Sequence, residues 1–186
     1  LVAARLLLVQ ADMGAFALRC GFPVILIPDR GFCHLLTRQA QEGCLAAVRR
    51  HLAPRGECLF NLPDPDPQAL AEAMDPARAQ PRQVAKVPLP GGQGSLTVAE
   101  GRSYDPEAMV MTYHLVLREV DGQGRPGQAW PVETSLRLTG VERMQQMFEG
   151  CGLGVRALYG DFARGPFKPG GEQVWVVGRR ERGQSG

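Results

Sequence analysis

Apolar and polar positions over residues 22–65 follow the order strand, loop, helix, turn and strand. Residues 22–27 are a short apolar run with β-branched members, which predicts a strand covered by helices on both faces. Residues 58–62 are a second run of the same kind. Between them, helical spacing is kept by four positions: Gln41, Leu45, Val48 and Leu52. A strand, helix and strand in this order are typical of a parallel α/β sheet.

The predicted helix has a start and a stop in the sequence. Thr37 stands where an N-cap belongs, and residues 54–56, Pro-Arg-Gly, end the helical pattern. In open sheets of this class, ligands lie beyond the carboxyl ends of the strands. The pattern therefore predicts that residues 28–34 and 61–66 lie along one rim of the sheet.

The rest of the chain changes character after residue 66. A short helix is predicted over residues 68–74, and a short strand over residues 83–87. Alternating apolar and polar positions, with turn residues between them, then predict three strands of an antiparallel sheet: residues 96–104, 108–120 and 128–138. A helix over 141–148 and two strands, 155–159 and 172–179, complete the predicted order.

These segments resemble class I S-adenosylmethionine-dependent methyltransferases. Residues 22–65 resemble the second half of that fold, where a helix ends in HL-x-P-x-G between two buried strands. Residues 6–13, LLLVQADM, resemble the family's third strand, and residues 152–162 with 172–179 resemble its closing pair of strands. The resemblance covers nearly all of the chain and implies an α/β fold, a Rossmann-like methyltransferase sheet (its carboxyl-terminal part) with an antiparallel β insert.

The resemblance also implies a domain division. Residues 1–75 and 139–180 are expected to form the methyltransferase-like core, residues 76–138 the insert, and residues 181–186 a mobile tail. The family's glycine-rich cofactor turn and ribose-holding acid would lie upstream of residue 1, so we expect a fragment that lacks its front half-domain. In the family such an insert often roofs the substrate pocket, and a structural cover or a dimer surface stays open as the alternative.

Cofactor residues follow from the same resemblance. Asp12 would accept the adenine amino group at the end of the third strand, while the backbone amide of Met13 bonds a ring nitrogen. A turn or capping aspartate is the alternative reading of Asp12. Ile27, Pro28 and Asp29 would line the place where the methionine end of S-adenosylmethionine lies.

Acceptor residues are expected on the same rim. Arg30 follows the first strand, and Tyr159 and Asp161 lie near the loop that joins the last two strands, so all three are candidates for substrate binding. His34 is the candidate general base, since imidazole titrates near neutral pH. Many methyl transfers need no base, and His34 packing over the helix entrance stays open. Asn61 stands where relatives often have aspartate, which removes one charge from the rim.

Composition narrows the class of protein. With 44% hydrophobic residues, 22% charged residues and a net charge of +2, the 186-residue chain can bury a core, and it carries no strong attraction to nucleic acid or an anionic membrane. No apolar run reaches the roughly 18–20 residues of a membrane span. The five cysteines lack CxxC spacing, so neither a disulfide framework nor a metal site is expected. A cytoplasmic location is the expectation.

Three functions remain. The resemblance implies S-adenosylmethionine-dependent methyl transfer to a small-molecule acceptor, incomplete in this fragment, with S-adenosylhomocysteine as the product. A non-catalytic remnant or interaction module is the alternative. For either function, self-association through an exposed sheet edge or the insert is a further expectation. A nicotinamide oxidoreductase fits less well, because the order of elements differs and no Tyr-x-x-x-Lys pair is present.

Overall fold

A computed structural model describes residues 6–92 and 94–180. The strands are, in chain order, β1 (Phe22–Ile27), β2 (Leu52–Pro63), β3 (Arg82–Pro88), β4 (Gly94–Asp105), β5 (Val110–Asp121), β6 (Pro126–Arg137), β7 (Leu153–Tyr159) and β8 (Glu172–Arg179). The α-helices are α1 (Arg38–His51), α2 (Pro67–Ala73) and α3 (Val141–Gly150), and short 3-10 helices span Gly31–His34 and Pro76–Arg78. The expected tail, 181–186, lies outside the described residues.

Two separate sheets organise these strands. The main sheet has the order β1-β2-β8-β7, with β1 and β2 parallel and β8 antiparallel to both of its neighbours. The second sheet has the order β3-β4-β5-β6 and is antiparallel throughout. The predicted fold class is confirmed, and the antiparallel strands are separate from the parallel sheet as expected. The division into domains stays a prediction.

Helix α1 begins and ends where local chemistry requires. The Thr37 side chain accepts a hydrogen bond from the Ala40 amide at 3.1 Å, which satisfies one of the free donors of the first turn. Arg49, Arg50 and His51 occupy the last turn, where positive charge and N–H donors complement the helix dipole.

The core lies between one face of the main sheet and helices α1 and α3. Its largest side chains are aromatic: Phe148 contacts the Trp175 ring edge-on with centroids 5.1 Å apart, and Phe60 contacts Phe148 at 5.8 Å. Trp175 and Phe148 have no exposed surface. Each of these rings removes a large apolar area from water on this side of the sheet.

The opposite face of the main sheet is open in the part of the chain that the structure describes. Val24 and Leu26 of β1 are 53% and 64% exposed, whereas Ile27 on the core side is 8% exposed. The sequence predicted helices on both faces of this strand. Within the described ranges, helices cover only one face of the main sheet. The apolar side chains of β1 are therefore buried only at alternate positions.

The expected third strand is not formed. Residues 6–10 have no regular secondary structure, and Leu7 and Leu8 are 84% and 83% exposed. This segment does not pair with β1 either, because the only strand paired with β1 among the described residues is β2. A strand needs a neighbour to satisfy its backbone groups, and this apolar run has none here.

The segment that follows docks on α1. The Arg50 guanidinium donates to the Phe16 carbonyl at 2.7 Å, and the Leu18 amide donates to His51 Nε2 at the same distance. The Phe16 and His51 rings stack with centroids 4.7 Å apart. His51, in the last turn of α1, thus helps to anchor residues 16–18.

Strand β6 holds the second sheet against the first. Arg137 Nη1 donates to the Leu36 carbonyl at 3.1 Å and to the Ala108 carbonyl at 2.7 Å. Leu36 lies two residues after the end of the 3-10 helix Gly31–His34, so the antiparallel sheet packs beside the rim near His34. Among the described residues, no helix is long and apolar enough to cross a membrane.

Candidate functional site

A cleft of about 530 Å³ opens at the carboxyl ends of β1 and β2. Its lining combines charged, amide and aromatic side chains with a close backbone turn: Asp29, Arg30, Asn61, Gly160, Asp161, Phe162 and Glu172. A ligand site in this position is the general expectation for an open α/β sheet. The rim predicted from residues 28–34 and 61–66 is therefore concave where those segments meet.

The turn after β1 has an unusual backbone. Asp29 and Arg30 both adopt left-handed conformations, with φ of 54° and 57°. The Gly31 amide donates to the Pro28 carbonyl at 2.9 Å and closes the turn. Two consecutive left-handed residues with side chains are unfavourable, and such conformations concentrate at binding sites. The strain sets both side chains at the cleft.

Glu172 joins the two strand ends across the cleft. One carboxylate oxygen accepts from Arg30 Nη2 at 2.9 Å, and the other accepts from Asn61 Nδ2 at 2.6 Å. The Asn61 side-chain oxygen accepts from the Arg30 amide at 3.4 Å. The side chains of these three residues and the Arg30 amide form a closed ring of contacts, here called the Arg30–Glu172–Asn61 network, which fixes the turn relative to β2.

The Arg30–Glu172–Asn61 network contains an ion pair between Arg30 and Glu172. The hydrogen bond to Glu172, together with the charge of that carboxylate, raises the pKa of Arg30, and partial burial opposes the effect. The Arg30 side chain is 46% exposed and that of Glu172 is 20% exposed, so solvent screens the pair and its contribution to stability is about 1 kcal/mol or less. We expect the network to orient side chains more than it stabilises the fold.

Glu172 and Asn61 were missed as site residues. Asn61 was interpreted as a lost charge on the rim, yet the structure puts the Glu172 carboxylate within hydrogen-bonding distance of its amide. Because β8 is antiparallel to β2, its first residue lies at the edge where β2 ends. A charged residue at the start of a predicted closing strand is the signal that could have found Glu172.

Asp161 lies in the cleft as expected for a residue near the substrate. Its Oδ1 accepts from the Gly165 amide at 2.8 Å, which holds the loop between β7 and β8 in a tight turn. Gly160 permits this turn, because a Cβ there would collide with the carbonyl of Pro166. The adjacent Phe162 is 76% exposed and forms part of the cleft wall.

Tyr159 does not line the same cleft. It lies with Asp161 and Phe162 along a neighbouring depression on the open face of the main sheet. Its partner in the ladder is Val174, whose side chain shares that face. The structure therefore brings Asp29, Arg30 and Asp161 together and leaves Tyr159 beside them.

His34 is exposed at the end of its 3-10 helix, while Phe32 and Cys33 on the same turn are buried. Among the described residues, its imidazole has neither a hydrogen-bond partner nor an acidic partner. Ile27 is buried in the core, so Pro28 and Asp29 are the exposed members of the predicted cofactor segment. The catalytic and cofactor roles of these residues stay predictions.

Asp12 and Met13 lie against α1. Asp12 Oδ1 accepts from the Gly14 amide at 2.8 Å, and the exposed carboxylate keeps its second oxygen free of partners among the described residues. Gly14 contacts Ala40 and Gly43 in the first half of α1, which begins at the edge where β1 ends. Met13 is half-buried against the core. Both residues thus lie on the same side of the molecule as the rim.

Neither a protein-family model nor a curated protein matches this sequence. Solved structures match its fold. An S-adenosylmethionine-dependent methyltransferase from Clostridium acetobutylicum aligns with a TM-score of 0.73 at 9% identity, over 93% of this chain and 64% of that chain. The CcbJ methyltransferase from Streptomyces caelestis aligns with a TM-score of 0.69 at 18% identity, over 93% and 63%.

A third structure has a named type of acceptor. CalS10, an amino pentose methyltransferase from Micromonospora echinaspora involved in calicheamicin biosynthesis, aligns with a TM-score of 0.65 at 17% identity, over 91% of this chain and 64% of that chain. The chain therefore has the fold of class I S-adenosylmethionine-dependent methyltransferases. It spans less than two thirds of the length of each of these structures.

Proposed function

We propose that this chain forms part of an S-adenosylmethionine-dependent methyltransferase that acts on a small-molecule acceptor. The observation that carries the proposal is the cleft at the carboxyl ends of β1 and β2, in a fold shared with solved methyltransferases. The solved structures with this fold include an amino pentose methyltransferase and a sugar N-methyltransferase. Their acceptors support a small-molecule acceptor for this chain, and a cytoplasmic location stays an expectation.

Residues present here fit the proposed cofactor. The free carboxylate oxygen of Asp12 is suited to accept an adenine amino group, and the half-buried Met13 side chain offers an apolar surface beside it. Pro28 and Asp29 would contact the methionine end from the turn after β1, with Ile27 behind them in the core. When bound, S-adenosylmethionine supplies a methyl group on a positively charged sulfur.

The residues of the chain itself would position the acceptor. The Arg30–Glu172–Asn61 network fixes the cleft wall, and Asp161 faces the opening from the β7–β8 loop. Tyr159 would contact the part of an acceptor that extends over the sheet. His34 is exposed near the rim and would take a proton from an acceptor that needs deprotonation. Alignment of the acceptor with the methyl group would supply much of the rate acceleration.

Calorimetric titration tests the proposal. S-adenosylhomocysteine is titrated into this chain and into the protein encoded by the complete reading frame that contains it. We expect saturable binding by the second protein, and weaker binding or none by the first, because residues 6–180 hold only the contacts named above. Absence of binding by both proteins would contradict the proposal and favour the non-catalytic interaction module.

Asp12→Ala tests the cofactor contact. We expect it to weaken S-adenosylhomocysteine binding by about 1–3 kcal/mol, the usual effect of removing one partner of a polar contact. Asp75→Ala is the matched control, because Asp75 makes the same kind of turn contact, with its Oδ1 accepting from the Ala77 amide at 2.9 Å. Equal affinity in the two variants would remove Asp12 from the site.

A further inference from the structure

A second cavity lies between α2, the 3-10 helix Pro76–Arg78 and the antiparallel sheet. Its volume is about 350 Å³, within the range of small-molecule sites. Three guanidinium groups from different elements line it, contributed by Arg78, Arg82 and Arg102. We call it the arginine cavity. Its lining is separate from that of the cleft at the end of β1.

Two carboxylates in the arginine cavity are already matched with two of its arginines. Glu100 accepts from Arg102 Nε at 2.5 Å, and Glu72 lies 3.6 Å from Arg78 Nη2. Arg82 faces Glu100 across the ladder from β3 to β4, but the hydrogen bond of that carboxylate goes to Arg102. Among the described residues, Arg82 therefore has no ion-pair partner, and the lining keeps a net charge of +1.

Small residues leave room for the arginine cavity. Ala69 and Ala73 face the cavity from α2, and Gly101 lines it from β4. The Ala79 carbonyl approaches Gly101 so closely that a Cβ at this position would collide with it. This close approach brings the loop after Arg78 onto β4, and the arginines on either side of the loop then point into one concavity.

One guanidinium group of the arginine cavity is held in position by two neighbours. The Arg102 guanidinium lies over the Tyr113 ring, 5.5 Å from its centroid, in addition to its contact with Glu100. A guanidinium held in place loses less conformational freedom when it binds an anion, and its planar set of donors matches the two oxygens of a carboxylate or phosphate.

We propose that the arginine cavity binds a small anionic molecule through a carboxylate or phosphate group. Arg82 is the primary contact, because its donors have no partner among the described residues, and Arg78 and Arg102 flank the bound group. The proposal does not depend on methyl transfer, since the lining of the arginine cavity is separate from that of the cleft and anion binding needs no donor or acceptor of methyl groups.

Titration followed by NMR tests the site. Backbone amide shifts of the intact chain are recorded against inorganic phosphate and, in a second arm, against succinate, with sodium chloride at matched ionic strength as the reference. We expect saturable shifts at Gly101 and Arg82 with at least one of the two anions. The arm that saturates distinguishes a phosphate ligand from a carboxylate ligand. Shifts that follow ionic strength alone in both arms would overturn the proposal.

Arg82→Gln isolates the unpaired guanidinium while keeping a long polar side chain. We expect affinity for the bound anion to fall tenfold or more, with Arg82→Lys between this variant and the native chain. Arg118→Gln is the matched control, because Arg118 is an exposed arginine of the same sheet that does not line the cavity. Equal affinity in Arg82→Gln and the native chain, or an equal loss in Arg118→Gln, would overturn the proposal.

Discussion

The two sheets of this protein are stabilised in different ways. The main sheet buries large apolar side chains against α1 and α3, with Phe60, Phe148 and Trp175 in mutual contact. The antiparallel sheet has a much smaller core, in which Ala73, Met111 and Leu138 are the buried members. Three of its strands are 12 residues long, twice the length of β1.

Backbone ladders and cross-strand polar pairs account for much of the order in the antiparallel sheet. Thr112 and Ser135 share a hydrogen bond of 3.0 Å between their hydroxyls, and His114 lies 3.0 Å from the Ser103 hydroxyl and 3.1 Å from a Glu133 oxygen. Such pairs contribute roughly 0.2–1 kcal/mol each. One chain thus combines a sheet ordered by side-chain packing with a sheet ordered by cross-strand pairing.

The largest expected effect comes from the two tryptophans. Trp175 is fully buried and donates to Gln173 Oε1 at 2.9 Å, whereas Trp130 on β6 is 36% exposed. Trp175→Ala should lower the free energy of unfolding by about 3–5 kcal/mol through the cavity it leaves. Trp130→Ala should cost less than about 1 kcal/mol. Urea unfolding followed by circular dichroism measures both, and equal losses would mean that the sheets share one core.

High pH should destabilise the main sheet selectively. Burial raises the pKa of Cys33, Cys44 and Cys58 to about 12. The unfolded chain releases these protons near pH 9 and the folded chain does not, so this stability is complete below pH 9 and is lost as the pH rises toward 12. The loss is up to roughly 1.4 kcal/mol per thiol for each pH unit above 9.

Variants with a single tryptophan show which of the two sheets loses stability at high pH. Trp175 reports on the main sheet in Trp130→Phe, and Trp130 reports on the antiparallel sheet in Trp175→Phe. Burial also raises the pKa of Tyr104, so this tyrosine begins to affect stability as the unfolded side chain ionises near pH 10, and comparison at pH 8 and pH 9.5 keeps its contribution small. Cys20→Ala is the control: it removes an exposed thiol, so we expect it to leave the loss of stability at high pH unchanged. A pH slope confined to the antiparallel sheet would contradict the assignment.

A smaller effect is expected within the antiparallel sheet. Gly101→Ala places a methyl group against the Ala79 carbonyl, and we expect a loss of about 1–3 kcal/mol from overpacking, seen by Trp130 fluorescence. Gly122→Ala adds the same methyl group where no atom lies within 4 Å and should leave stability nearly unchanged. Equal stability of the two variants would show that the loop after Arg78 adapts freely.

Much of the fold was predictable because the sequence patterns that specify its strands and helices are local. The predicted strand over 22–27 and the strand over 172–179 match β1 and β8, and the Thr37 cap starts α1 as expected. Hairpin turns located the long antiparallel strands to within about two residues, a normal error for strand ends. Apolar spacing, caps and turn residues lie within a few positions of the elements they specify.

The contacts that build the candidate site could not be predicted from local sequence patterns, because they depend on the tertiary structure. Arg30 and Glu172 are separated by 142 positions, and Asn61 and Glu172 by 111, so no local pattern could pair them. The antiparallel direction of β8 decides that Glu172 lies at the rim, and ladder pairing decides that Tyr159 shares the open face with Val174.

The amino-acid sequence by itself determined which segments become strands and helices, because side-chain spacing and capping act over one or two turns. Residues 6–10 mark the limit of that rule: they are apolar enough for a strand, yet they form none in the described chain. A strand is completed by hydrogen bonds to a neighbour, and a binding cleft by side chains distant in sequence. Only the tertiary structure decided both, since both depend on which segments meet in space.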